Sequence, residues 1–208
     1  MQNPAIQKAM YKKTQDENLR LANRSQKLPA DIAYLLEKYP RETWQGHKNL
    51  GQLSQFWLQR HNMFRELGGM LKTLAHDYRE TPGTPRHFQQ EFAPRLNFFL
   101  NQLNGHHQIE DHNYFPVFRA LDKRLIIGFD LLEEDHEYIH QELFATAEVA
   151  QQFLEALTAD FDTQRRAADA YLERSDRLLN WLLRHLDDEE DLFVPVILDR
   201  TEQVVGLV

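Results

Sequence analysis

One motif occurs twice in this chain, and the second copy stands 79 residues after the first. The first is His106-x-x-x-Glu110, followed by Asp111, Tyr114, Phe115 and Pro116; the second is His185-x-x-x-Glu189, followed by Glu190, Asp191, Phe193 and Pro195. A His and a Glu four apart lie on one helix face, about one turn apart. Both can then point at a single object. Imidazole and carboxylate are ligands for iron, zinc and manganese, so the natural object is a metal. A solvated i,i+4 pair has the same form and stabilises a helix by only about 0.2–0.5 kcal/mol. His76/Glu80, His87/Glu91 and His107/Asp111 share that spacing without a second copy. Repetition is what separates the two motifs from these.

Composition decides which secondary structure carries them. The 208 residues allow one domain with a sizeable core and an accessory segment. Leu, Ala, Glu, Gln and Arg are abundant, Gly and Pro number 8 each, and strand-like alternation of Val, Ile and Thr is missing, which favours an all-α protein. A net charge of −8 argues against a nucleic-acid partner, since phosphate binding needs a basic face. No apolar run approaches the roughly 18 residues of a membrane span. The N-terminus lacks the apolar core of a signal peptide, so the expected location is cytoplasmic. With no Cys, any metal must rely on His and carboxylate, and the chain has 10 His.

Taken in order, residues 1–45 read as an N-terminal helical extension, residues 46–200 as the main domain and 201–208 as a tail. In the extension, Ala5 to Asn23 is polar and helix-favouring, and Pro29-Ala30-Asp31 predicts a short helix through Lys38, ended by Tyr39-Pro40. Its expected role is a strap on the main domain or on a second subunit. A first long helix is predicted over 47–78, with Leu50, Leu53, Phe56, Trp57, His61, Phe64, Leu67, Leu71 and Leu74 along one face. Gly68-Gly69 inside it suggests a close helix contact. The second runs over 86–113 and brings His106 and Glu110 onto the face of Phe88, Phe92, Leu96, Phe99 and Leu103, with Pro94 expected to kink it or delay its start. Pro116 ends it or opens a short turn through Leu121. The third, over 126–156, carries His136 and His140; the fourth, over 163–190, carries His185 and is expected to end by Pro195. Four such helices with short turns predict an up-down four-helix bundle.

The offset reaches beyond the motif, because His140 stands 79 residues after His61. Each helical hairpin thus offers two imidazoles and a carboxylate: His61, His106 and Glu110, then His140, His185 and Glu189. His136 has no counterpart, since the corresponding position is Trp57. Two octahedral metals have about twelve coordination positions. Five imidazoles, two bridging carboxylates and one bridging oxygen leave a single position open, on the metal held by His61 and His106. His47, His76, His87, His107 and His112 read as surface or capping residues, with a hydrogen-bonding role behind the ligands as a second option for His107. Asp111, Asp187, Asp188 and Asp191 read as solvated charge, Trp57 and Trp181 as core, and Tyr114 as core packing. A carboxylate accepting from a ligand imidazole's other N–H is expected somewhere.

This ordered set resembles the hemerythrin-like, or HHE cation-binding, domain: a lone His61, then His106-x-x-x-Glu110, then His136-x-x-x-His140, then His185 with a carboxylate. The resemblance covers about residues 45–200 and implies two Fe ions, oxo- or hydroxo-bridged. His136, His140 and His185 would hold one iron and His61 and His106 the other, with Glu110 and Glu189 bridging. It implies O2 binding for storage, sensing or delivery, with a di-iron enzyme or stress protein acting on peroxide or nitric oxide as the alternative. The binding-protein reading is preferred over the enzyme. A homodimer or a separate signalling partner stays open. Oxygen carriers of this family place an Asp five residues after the fourth-helix His, where this chain has Glu190; Glu189 is preferred because it preserves the repeat. Relatives that repair iron–sulfur clusters carry an N-terminal Cys segment, which this chain lacks. A ferritin-like carboxylate site needs two Glu-x-x-His elements, and only Glu133 to His136 is well placed. A catalytic zinc, with three protein ligands, would leave too many donors over.

Overall fold

The computed structural model describes residues 17–203. The polar stretch from Ala5 to Asp16 and most of the tail lie outside the described residues. Among these, regular structure is helical with no strand. Four long helices carry it: α1 (Gln52–Glu80), α2 (Pro85–Ile109), α4 (Ile126–Ala156) and α5 (Phe161–Arg200), with a short α3 (Phe115–Leu121) after α2. No helix among the described residues is long and apolar enough to cross a membrane.

The boundaries have local causes. Gly46 takes a φ of 75°, a conformation glycine adopts without steric cost, and the turns around it delay α1 by about five residues. α2 opens on Pro85, whose missing N–H is no loss at a first helical position. The helix then runs through Pro94, so Pro94 does not delay its start. Between α2 and α3, Glu110–Tyr114 forms a π turn in which the Phe115 N–H reaches back to the Glu110 carbonyl. Pro116 has no N–H for the preceding turn, and the widened turn absorbs that mismatch before α3 opens with Pro116 in its first turn.

The expectation for Pro195 is wrong: α5 continues through it to Arg200. Leu192, Phe193, Val194, Val196, Ile197 and Leu198 are all buried there. Packing on every side of the helix offsets the hydrogen bond that the proline forfeits. The extension also departs from expectation. Residues 29–39 form successive turns, such as Ile32 N–H to the Pro29 carbonyl and Tyr39 N–H to the Leu35 carbonyl, rather than a helix. Their side chains are committed to packing: Leu28, Ile32 and Ala33 are buried.

The chain divides into two compact units. Of the described residues, one holds 17–60, 108–138 and 184–203; its core gathers Leu19, Leu28, Ile32 and Trp44 with Trp57, Phe115, Phe118, Phe129, Leu132, Phe193 and Ile197. The strap role expected of the extension is visible here for residues 19–44, which share that core. Gly128 faces Leu192 and Ile32, leaving no room for a side chain.

The other unit holds residues 61–107 and 139–183. Its core is an aromatic ladder: Phe88 stacks on Phe92 with centroids 4.9 Å apart, Tyr171 meets Phe92 edge-on at 5.0 Å, and Phe153 lies 5.1 Å from Phe88. Leu179 occupies the place a Cβ of Gly68 would take, which explains that glycine as a close contact. The inner face of α1 runs Trp57, His61, Phe64, Gly68, Leu71, Ala75, Tyr78. Phe56, assigned to that face above, sits about 100° away from Trp57 and is 59% exposed.

One surface group sets an acid limit on stability. The Arg124 guanidinium, aided by the Tyr34 hydroxyl 3.0 Å away, holds the Asp122 carboxyl well below the ordinary range. A carboxyl depressed on folding contributes stability that is full above its unfolded value of about 3.9 and is lost as pH falls toward the folded one. Asp122→Asn should therefore be less stable than wild type at pH 7, with the gap closing below about pH 4. Urea unfolding at several pH values tests this, and a pH-independent gap would assign the loss to something other than charge.

Candidate metal centre

Four of the seven predicted donors fall in the first unit. His136 comes from α4, His185 and Glu189 from α5, and Glu110 from the π turn; all four side chains are buried. The two imidazoles face each other, with Nε2 atoms 3.0 Å apart. Each ring has its other nitrogen on a carboxylate: His136 Nδ1 is 2.6 Å from Asp111 Oδ1, and His185 Nδ1 is 3.4 Å from Asp135 Oδ2. A carboxylate accepts the Nδ1 proton and leaves a lone pair on Nε2. Glu189 Oε2 lies 3.4 Å from His185 Nε2, and Glu110 Oε2 lies 3.7 Å from His136 Nε2. Trp57 donates its indole N–H to Glu110 Oε1 at 2.6 Å and stacks on Phe193 at 4.0 Å. Phe115 stacks on the His136 ring at 5.3 Å.

Two imidazole nitrogens 3.0 Å apart share either a proton or a metal cation between them. An octahedral metal with Fe–N or Zn–N bonds of about 2.1 Å places adjacent nitrogens about 3.0 Å apart. The spacing of the two rings therefore fits a pair of neighbouring ligands on one ion. The carboxylates point the same way. Burial first, then the charge and hydrogen bond of Glu110, push Glu189 well above the ordinary carboxylate range. Two buried carboxyls that interact in this way disfavour ionising together, and a cation relieves that cost.

Glu190 does a different job. Its carboxylate takes Arg41 Nη1 at 3.0 Å, while Arg41 Nε reaches Asp191 at 2.6 Å and Lys27 reaches Asp191 at 3.1 Å. Asp188 is buried against Arg24 Nε at 2.9 Å and accepts the Leu28 N–H at 3.3 Å. Burial pushes Asp135 and Asp188 up to about 6, with Arg24 pulling both back down. Asp188 and Asp191 are thus paired interior groups, not the solvated charge expected of them, and Asp111 serves His136; only Asp187 is exposed.

The second unit supplies the remaining three predicted donors. His61 and His106 are buried, and their rings meet edge-on with centroids 5.0 Å apart, backed by Phe64 at 5.1 Å from His106. His140 is half-buried on α4. His107 is the largest departure from expectation, because it is fully buried rather than at the surface. Its ring lies 5.3 Å from that of His140. His112 and His76 are exposed, as expected.

Buried imidazoles and carboxylates on an all-helical scaffold define a class of protein whose interior groups can hold metal. The profile of the hemerythrin HHE cation-binding domain matches residues 52–197, and the chain belongs to that family. No curated protein and no solved structure matches it.

Proposed function

We propose that this is a non-haem di-iron protein that binds O2 for storage, sensing or delivery, on an up-down four-helix arrangement of α1, α2, α4 and α5. His136, His140 and His185 hold one iron, His61 and His106 the other, and Glu110 and Glu189 bridge. Iron held by these residues would supply reversible binding of O2. The observation that carries the reading is the His136–His185 pair, with both Nδ1 atoms on carboxylates and both Nε2 atoms converging at 3.0 Å. Membership of a cation-binding family supports it.

The experiment is anaerobic loading with iron(II) followed by air. About two irons per chain are expected, with ferric absorption bands that appear in air and disappear on removing O2. A chain that takes up no iron ends the reading. A spectrum that bleaches once, or turnover of peroxide or nitric oxide, replaces the binding protein with the enzyme.

One residue offers a second arrangement in one detail. His107 is fully buried with its ring 5.3 Å from that of His140, the residue that the family's His-x-x-x-His pattern names. The i,i+4 spacing puts His140 on the face of His136, so His140→Asn is expected to lose one iron and His107→Asn to keep both. Metal analysis of the two variants decides, and the reverse result makes His107 the ligand. His61→Ala or His106→Ala should weaken the other iron selectively, and parallel loss of both would contradict the division of ligands.

A further inference from the structure

We propose that Arg24, which lies outside the residues matched by the family, is a positioning residue for the metal centre, fixing His185 through Asp135 and bracing Glu189 through Asp188. The inference rests on the di-iron reading for His185 and Glu189. Its observations are geometric. Arg24 is 6% exposed. Its Nε donates to Asp188 Oδ2 at 2.9 Å, its Nη2 to Asp135 Oδ2, and its Nη1 to Asp135 Oδ1 at 3.3 Å and to the Leu19 carbonyl. The guanidinium therefore uses three of its edges, and all its partners are buried in the same unit.

The two carboxylates it bridges are placed with consequence. Asp135 precedes His136 on α4 and also stands 3.4 Å from His185 Nδ1 on α5. Asp188 immediately precedes Glu189. One cation thus sits on the two acids flanking three proposed ligands. Without it, two buried carboxylates on α4 and α5 would lose their shared partner, and nothing from residues 19–28 would hold the Asp135 carboxylate in place for the His185 Nδ1–H. A planar fork can serve both acids at once, whereas an ammonium offers a single point of charge. The Leu28 N–H on Asp188 and the Lys27 and Arg41 contacts to Asp191 repeat the same theme from the same segment. Residues 19–41 are in this sense part of the site, although they supply no ligand.

Cobalt(II) titration of the metal-free full chain, followed by visible absorption, provides the test. Arg24→Met should weaken one of two cobalt sites by about 10- to 100-fold, the usual effect of losing a partner behind a ligand, and leave the other site and the helical signal unchanged. Two sites of wild-type affinity overturn the proposal. Parallel weakening of both sites with a lower melting temperature also overturns it, by making Arg24 a general structural residue. If Arg24→Met loses its helical signal, Arg24→Lys keeps the charge without the fork and carries the same expectation. A second readout needs no metal. Imidazole 15N shifts of the metal-free protein should report His185 as the Nδ1–H tautomer in wild type and a shift toward Nε2–H in the variant, and an unchanged tautomer overturns the proposal. A wild-type chain that takes up no cobalt, while the tautomer still depends on Arg24, would instead sink the di-iron reading and leave the positioning role intact.

Discussion

Phe193→Ala is expected to cost about 3–5 kcal/mol of stability, the range for truncating a buried aromatic. Phe193 is 1% exposed and lies in the core of the first unit, stacked on Trp57 with a 15° interplanar angle and 4.8 Å from Phe118. Domains are stable by only about 5–15 kcal/mol, so this single change removes a large part of the margin. For a chain of this size each kcal/mol shifts the melting temperature by about 2–4 °C, and a drop of about 6–20 °C should appear in circular dichroism melts. The consequence does not stop at stability. Trp57 rests on Phe193 and holds Glu110 through its indole N–H at 2.6 Å, so the variant should also lose metal affinity. Phe193→Leu separates the two effects. It keeps most of the volume, costs less than about 1.5 kcal/mol, and removes only the ring that supports the indole. Weakened metal binding in Phe193→Leu at near-normal melting temperature would show Trp57 acting on the site. Normal metal binding in both variants would show that Trp57 only packs.

The parts of this molecule that were legible beforehand are those written in local spacing. The 3.6-residue periodicity located α4 at its observed ends, and the 79-residue offset found the buried Glu110 and Glu189. The same offset picked out Trp57 as the place where an imidazole is missing. It could not say that the indole would turn to donate to Glu110, because that contact spans 53 residues. The partners of the buried acids were hidden for the same reason. Arg24 meets Asp135 and Asp188 across 111 and 164 residues, and an isolated Arg in a polar segment gives no signal of such a destination. Asp188 and Asp191 therefore read as solvent-facing members of an acidic run. His107 is fully buried although adjacent helical residues point about 100° apart, so an inward His106 gives no sign that its neighbour is also inside. Burial on two faces of α2 accounts for it. Pro195 failed in the same manner: a proline ends a helix that has one packed face, but the stretch from Leu192 to Leu198 is buried throughout.

The Glu189→Gln and Glu190→Gln pair should separate a metal ligand from a structural acid by opposite effects on two measurements. Glu189 is fully buried beside Glu110 and is pushed well above the ordinary carboxylate range, so burial favours its neutral form in the metal-free protein. Glutamine has the same shape, is neutral, and can still donate to Glu110. Metal-free Glu189→Gln should therefore melt at the wild-type temperature or above, since it replaces an acid whose ionised form burial disfavours with a neutral side chain. Its metal binding should collapse, by more than the roughly 10- to 100-fold that partners behind a ligand cost. Glu190→Gln should do the reverse. It breaks the ion pair with Arg41, whose side chain is about one-third exposed, so the melting temperature falls modestly while metal content stays at wild type. Proton release gives an independent check, because burial favours the neutral form of Glu189 and a bound metal favours its carboxylate. Calorimetry in buffers of different ionisation enthalpy should count the released proton in wild type and miss it in Glu189→Gln. If Glu190→Gln is the variant that loses metal, the bridge belongs five residues after His185, as in the oxygen carriers, and the pairing of Glu189 with Glu110 is a feature of the metal-free state alone.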